Sequence, residues 1–206
     1  MRTSTSLLVG GSFDPVHVGH LLVARAAAEA AGCDGVTLVP CAQSPHKAGL
    51  TNLTPAVHRL AMLRAAVTGN EFFDILTVEL QRPTPSFTYD TVEQLFASGW
   101  TQVRWLIGAD QVLALPKWHR AAELLQRVRW VIAARPGYEI DWEKLPEPYR
   151  KLQKSVVKVP QIEISSTDIR QRLANGLNIR YMLPPEVERY IEEHCLYRRP
   201  RCITNT

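Results

Sequence analysis

The chain has 206 residues, 46% hydrophobic and 21% charged, a balance that supports one well-buried core and excludes an intrinsically disordered chain. Its net charge of +4, from 24 basic and 20 acidic residues, is too mild and too dispersed to signal nucleic-acid binding by itself and suits an anionic small substrate equally well. Four cysteines without regular spacing, no N-terminal signal segment and no apolar run of membrane-spanning length predict a soluble, reduced, cytoplasmic protein.

Taken in chain order, the first apolar run, residues 6–9, predicts a strand that enters Gly10-Gly11-Ser12-Phe13-Asp14-Pro15-Val16-His17-Val18-Gly19-His20. An alanine-rich helix follows over residues 21–31, then a strand over 35–39. Residues 41–53 form a polar loop long enough for a binding role, and Thr54-Pro55 reads as an N-cap followed by a proline at the first helical position. Further strands are predicted over 72–78, 103–107, 128–133 and 156–159, with helices over 88–97 and 119–126 between them. Residues 136–154, rich in Pro, Glu and Lys, read as an excursion of weak helical character. Ser165-Ser166-Thr167-Asp168 then caps another helix, and Pro184-Pro185-Glu186 opens a last one through His194. The run Arg198-Arg199-Pro200-Arg201 reads as a solvated C-terminal tail. Alternating strands and helices predict an α/β chain with a doubly wound parallel sheet covered on both faces, whose ligands bind beyond the carboxyl ends of the strands.

Two segments carry chemistry. At residues 10–20 a strand runs into a glycine turn and a helix start, a place where backbone amides and the helix dipole suit a phosphate. His17 and His20 add hydrogen-bond donors that can carry charge near neutral pH, as phosphoryl transfer requires. Two plainer readings stand beside this one. A Gly-Gly pair can be only a turn, and histidines three apart suit zinc, although Cys33, Cys41, Cys195 and Cys202 offer no CxxC or HExxH partner spacing. The second segment, 164–170, is either a helix capped by Ser166 or Thr167 with Arg170 on the surface, or a second phosphate cradle of hydroxyls, amides and a guanidinium. Two cradles in one chain suit a polyphosphate.

Together these segments resemble the two signatures of the nucleotidylyltransferase superfamily, and within it the chain is most similar to bacterial-type nicotinate-nucleotide adenylyltransferases. Four further stretches carry the narrower likeness: Ser44-Pro45-His46-Lys47, Pro85-Ser86-Phe87-Thr88-Tyr89-Asp90-Thr91, Gly108-Ala109-Asp110 with Trp118, and Arg135-Pro136-Gly137. Three positions depart from the family's usual pattern. Ser12 stands for threonine and keeps the hydroxyl, Ser44 stands for the first proline of a Pro-Pro-His-Lys loop, and Phe87 stands for a frequent tyrosine and loses a hydroxyl.

The resemblance implies one Rossmann-like domain of nucleotidyltransferase type over 1–206, with a core at 1–160, a phosphate-binding and helical segment at 161–197 and a flexible tail at 198–206. It implies transfer of the AMP moiety of ATP to nicotinate mononucleotide, with nicotinate adenine dinucleotide and pyrophosphate as products, in NAD biosynthesis. Gly10, Gly11, Ser12, Phe13, His17, His20, Gly108, Asp110, Ser166, Thr167 and Arg170 would bind ATP, with His17, His20 and Arg170 acting in catalysis. His46, Lys47, Thr88, Tyr89, Trp118 and Arg135 would bind the mononucleotide, Trp118 as a stacking plate, although by pattern alone that residue reads as core. Mg²⁺ is implied on the substrate phosphates, with no ligand motif of its own. The partners expected are these two small molecules, with neither nucleic acid nor membrane, and the oligomeric state is left open. The alternatives are preference for nicotinamide mononucleotide and a nucleotide-binding regulator without turnover.

Overall fold

The computed structural model describes residues 5–43, 53–134 and 137–198. Within them the elements run β1 (Ser6–Gly11), α1 (Val18–Ala30), β2 (Gly35–Pro40), α2 (Ala56–Val67), β3 (Phe73–Ile75), α3 (Thr88–Ala97) and β4 (Val103–Gly108). The second half continues with α4 (Ala109–Val112), α5 (Ala121–Arg127), β5 (Val128–Ala133), α6 (Glu147–Arg150), β6 (Val156–Val157), α7 (Ser166–Ala174) and α8 (Pro185–Glu193).

All strand pairs are parallel, in the order β3-β2-β1-β4-β5-β6. The chain therefore builds outward from β1 to one edge, crosses back, and restarts beside β1 with β4. That reversal opens a crevice between the carboxyl ends of β1 and β4, where a doubly wound sheet binds its ligand. Val9 pairs with Leu106, so two residues further on Gly11 stands level with Gly108.

Successive strand residues point to opposite faces, and the core divides accordingly. Leu7, Leu38, Leu106 and Val131 face one side, packed with Ala24 and Ala27 of α1, Met62 and Leu63 of α2, Ile169 of α7 and Val187 and Ile191 of α8. Leu8, Trp105, Ile107, Trp130 and Ile132 face the other, with Val92 and Leu95 of α3 and Leu124 of α5. Both faces are covered, which is why the strands read as continuous apolar runs; all six residues of β2 are buried. The alanines and Gly19 on the buried side of α1 let that helix lie close against the sheet.

The predicted strands all form, but the two at the edges are shorter than expected. The run 72–78 pairs only over Phe73–Ile75, because an edge strand has one neighbour and the ladder with β2 covers Val36 to Leu38; the chain then turns into a 3-10 helix at Val78–Gln81. The run 156–159 pairs only over Val156–Val157 with Ile132 and Ala133. α1 starts at Val18, earlier than the alanine run suggested, because His17 caps it. α2 starts at Ala56 with Pro55 at the cap position and no side-chain cap bond, so Thr54 is not its N-cap. α5 starts at Ala121, after Arg120 adopts a left-handed conformation (φ 52°). The excursion contributes short helical turns at Trp142–Lys144, Glu147–Arg150 and Lys151–Ser155. No helix among the described residues is long and apolar enough to cross a membrane.

Candidate active site

The loop from β1 into α1 lies at the mouth of the crevice. Its glycines are needed, but for a reason the sequence did not reveal. A Cβ on Gly10 would lie 2.8 Å from the Trp105 ring, and one on Gly11 would lie 3.1 Å from the Phe13 ring. At both positions an aromatic ring of the protein fills the space a side chain would need. Phe13 itself is buried at φ 48°, an uncommon conformation for a bulky residue, and its ring meets His20 edge-on.

His17 and His20 form a reciprocal cap. The His17 Nδ1 accepts the backbone N–H of His20 (3.3 Å), and the His20 Nδ1 accepts that of His17 (3.2 Å). Their rings stack with centroids 3.6 Å apart. This is a capping box built from two imidazoles, satisfying two backbone donors that a helix start leaves over. It also decides the tautomer. With its Nδ1 lone pair engaged, a neutral imidazole carries its proton on Nε2. Burial pushes the His17 imidazole down to about 4. His17 is therefore a neutral donor at pH 7, which corrects the expectation of a charge there.

α7 closes over the same loop. Ser165, not Ser166 or Thr167, is its N-cap, with the side chain accepting from the Asp168 amide (3.0 Å). Ser166 Oγ donates to the Pro15 carbonyl (2.9 Å), while Arg170 donates to the Asp14 carbonyl (2.6 Å) and to Thr167 Oγ1 (3.3 Å). The two predicted cradles are thus joined by direct hydrogen bonds. From β4, Asp110 folds back so that a Cβ on Gly108 would strike its carboxylate; Asp110 is the second residue of α4, capped by Gly108, and is exposed at the crevice.

A second cluster lies at the end of β2. Ser86 accepts from the Ala42 amide (3.1 Å), and its own amide donates to the Gln43 carbonyl (2.9 Å), which ties the start of α3 to the loop after β2. α3 has no side-chain cap bond at Phe87, and Thr88 is its first residue. The His119 ring packs on Phe87 with centroids 4.5 Å apart, drawing the Trp118 segment against the same helix start. Trp118 is half-buried, with its ring edge-on to Trp130. Tyr89 meets the same His119 ring edge-on, with its own ring buried under the Arg120 guanidinium and its hydroxyl donating to Glu123 (3.3 Å). His46, Lys47, Arg135 and the tail from Arg199 lie outside the described residues.

The sequence reading passed over three buried polar groups in this half of the molecule. Arg59 of α2 is 1% exposed and donates to four carbonyls: Thr54 (2.9 Å), Ser12 (2.7 Å), Cys41 (2.8 Å) and Ala42 (3.2 Å). An arginine on the same helix stripe as Met62 and Leu63 was the available signal. Asp14 is buried between the Thr54 amide and the Tyr197 hydroxyl. Glu79 accepts from Thr91 Oγ1 (2.6 Å), which in turn accepts from Arg82 (2.6 Å), and burial pushes its carboxyl up to about 7. Among the described residues, no three or more of His, Cys, Asp and Glu gather as a metal site would need.

Residues 8–172 match the cytidylyltransferase-like family model, a span that holds both cradles. A protein of Roseiflexus sp. (strain RS-1) named probable nicotinate-nucleotide adenylyltransferase is 40% identical over 93% of this chain and 96% of its own length. The chain belongs to the nicotinate-nucleotide adenylyltransferase family. A family member from Geobacillus thermodenitrificans, also named probable, is 42% identical over 92% of this chain and 84% of its own length. The fold agrees: the Plasmodium falciparum nicotinic acid mononucleotide adenylyltransferase complexed with NaAD superposes with a TM-score of 0.72 at 20% identity, over 95% of this chain and 97% of that one. Members of this family are nucleotidyltransferases, and this chain is one.

Proposed function

We propose that the protein transfers the adenylyl group of ATP to nicotinate mononucleotide, releasing nicotinate adenine dinucleotide and pyrophosphate. The observation that carries this reading is the reciprocal His17–His20 cap, which sets two stacked imidazoles at the start of α1, directly after the carboxyl end of β1. The acceptor follows from family membership and from the acceptor-side cluster around Thr88 and Trp118.

In this reaction a phosphate oxygen of the mononucleotide attacks the α-phosphorus of ATP, an O–P bond forms, and the bond to the pyrophosphate breaks. The nucleophile is already an anion, so no general base is required, and the protein's task is in-line positioning and stabilisation of charge. His17 and His20 donate from Nε2 to oxygens of the α-phosphate. The neutrality of His17 suits this role, since a buried donor held by the cap needs no reorganisation as charge develops. Arg170 and Thr167 meet the β- and γ-phosphates; the Ser166 hydroxyl proton is committed to Pro15, which leaves that residue its amide at the helix start. Asp110 accepts from ribose hydroxyls beside β4. The α3 start and Thr88 meet the pyridine carboxylate, and Trp118 lies beside the ring. ATP enters as its magnesium complex, the cation counted as part of the substrate, because the site offers N–H and O–H donors suited to phosphate and Mg²⁺ takes oxygen ligands. The ion lessens charge on the departing pyrophosphate.

The test supplies purified protein with ATP, Mg²⁺ and either the acid or the amide mononucleotide, and measures pyrophosphate and dinucleotide. The acid is expected to react faster. Equal or better use of the amide defeats the acceptor assignment, and no pyrophosphate with either defeats the reaction.

A further inference from the structure

The β1–α1 loop is held in an uncommon shape by bonds from outside itself. Phe13 at φ 48° is in a conformation that a bulky residue keeps only where its surroundings over-determine it. At the next residue, each oxygen of Asp14 is engaged by a different part of the chain. Its carbonyl accepts from Arg170 of α7 (2.6 Å), Oδ2 accepts from the Thr54 amide before α2 (3.3 Å), and Oδ1 accepts from the Tyr197 hydroxyl (2.7 Å). Asp14 is 3% exposed, and the Arg59 guanidinium, bonded to Ser12 one turn of the loop away, is its buried countercharge.

Tyr197 is the distant member of this set. It lies beyond α8, whose last turn is closed by the Leu196 amide on the Ile191 carbonyl, and is 183 residues from Asp14 in the chain. Burial, and then the bond to Asp14, push the phenol above its ordinary range, so the hydroxyl keeps its proton to donate to Asp14. A hydrogen bond to a buried carboxylate is among the stronger single contacts a side chain makes.

We propose that Tyr197 and Asp14 are positioning residues for the catalytic loop: the phenol of the C-terminal segment latches the Asp14 carboxylate and so holds residues 12–17 in the shape that presents His17. The latch acts through the loop and touches no substrate. Its kinetic consequence rests on the adenylyltransferase reading, whereas its structural consequence does not.

The experiment compares the full-length protein with Y197F, which removes one oxygen, and D14N, which keeps the size and loses the charge; Y181F, at an 85% exposed tyrosine, is the control. Amide hydrogen exchange in residues 11–18 is expected to accelerate about tenfold in Y197F and D14N, with the sheet unchanged. Turnover is expected to fall about tenfold with KM for the mononucleotide unchanged, since the acceptor side is not touched. Should Y197F fail to fold, D14N alone gives the same reading. Exchange at 11–18 equal to the parent's, or accelerated evenly across the sheet, overturns the latch. A parent protein that makes no pyrophosphate overturns the reaction instead, and the exchange data still decide the latch.

Discussion

His17 and His20 each accept the other's backbone N–H through Nδ1, so one pair of side chains starts α1, and the proposed reaction gives the same pair a second duty as donors to phosphate. The two duties sit on different ring nitrogens and can be separated by substitution. Asparagine places an acceptor where Nδ1 stands, and glutamine places a donor where Nε2 stands. H17N should keep the helix cap, with thermal stability near the parent's, while turnover falls by about 10²–10³, the usual cost of one lost oxyanion donor. H17Q should show the reverse, losing about 1 kcal/mol of stability with the cap and retaining more activity. Equal turnover in H17N and the parent would refute the donor role.

The buried imidazole also predicts a pH dependence of stability. His17 titrates near 4 in the folded protein and near 6.5 when unfolded, so on acidification the unfolded chain takes the proton first. The stability present above pH 6.5 is lost as the pH falls from 6.5 toward 4, by up to about 3 kcal/mol from this group. Urea denaturation across that window should show a shallower acid slope in H17N than in the parent, and parallel slopes would count against a buried neutral His17.

Glu79 predicts the opposite slope. Its carboxyl titrates near 7 when folded and near 4.5 when unfolded, because burial outweighs the Thr91 hydrogen bond and the Arg82 charge, with Asp90 adding repulsion. Its contribution is full below pH 4.5 and is lost as the pH rises through 7. E79Q keeps an acceptor for the Thr91 hydroxyl and should therefore be more stable than the parent at pH 8, by up to about 3 kcal/mol, and nearly equal to it at pH 4.5. A difference that is the same at both pH values would show that the charge of Glu79 is not the cause.

Gly10 and Arg59 predict two structural losses. G10A places a Cβ 2.8 Å from the Trp105 ring, which is 3% exposed and fixed between strands, so a cost of about 1–3 kcal/mol is expected with a shift in tryptophan emission. R59K replaces a fork spanning four carbonyls by a single ammonium and should cost about 3 kcal/mol in denaturant unfolding. Parent-like stability in R59K would mean the four bonds are replaceable by water.

Much of the site was legible in the residues. The glycine turn, the two histidines and the Ser/Thr–Arg segment are local patterns, since a strand end followed by a helix start uses the same residue types wherever it holds phosphate. The alternation of apolar runs with helical periods likewise marked six strands and the helices between them. Errors fell where a long-range contact overrides a local preference. The edge strands shortened because pairing depends on a neighbour, and Tyr89 is buried because Arg120 and Glu123, at the start of α5, pack around it.

The sequence alone thus determined the order of elements, from local patterns, and the family, from several short stretches spread along the chain. Only the tertiary structure decided that the cradles join through Ser166–Pro15 and Arg170–Asp14, that His17 is neutral, and that Arg59, Asp14 and Tyr197 lock the loop. Those outcomes depend on desolvation and on bonds between residues up to 183 positions apart, which no local pattern records.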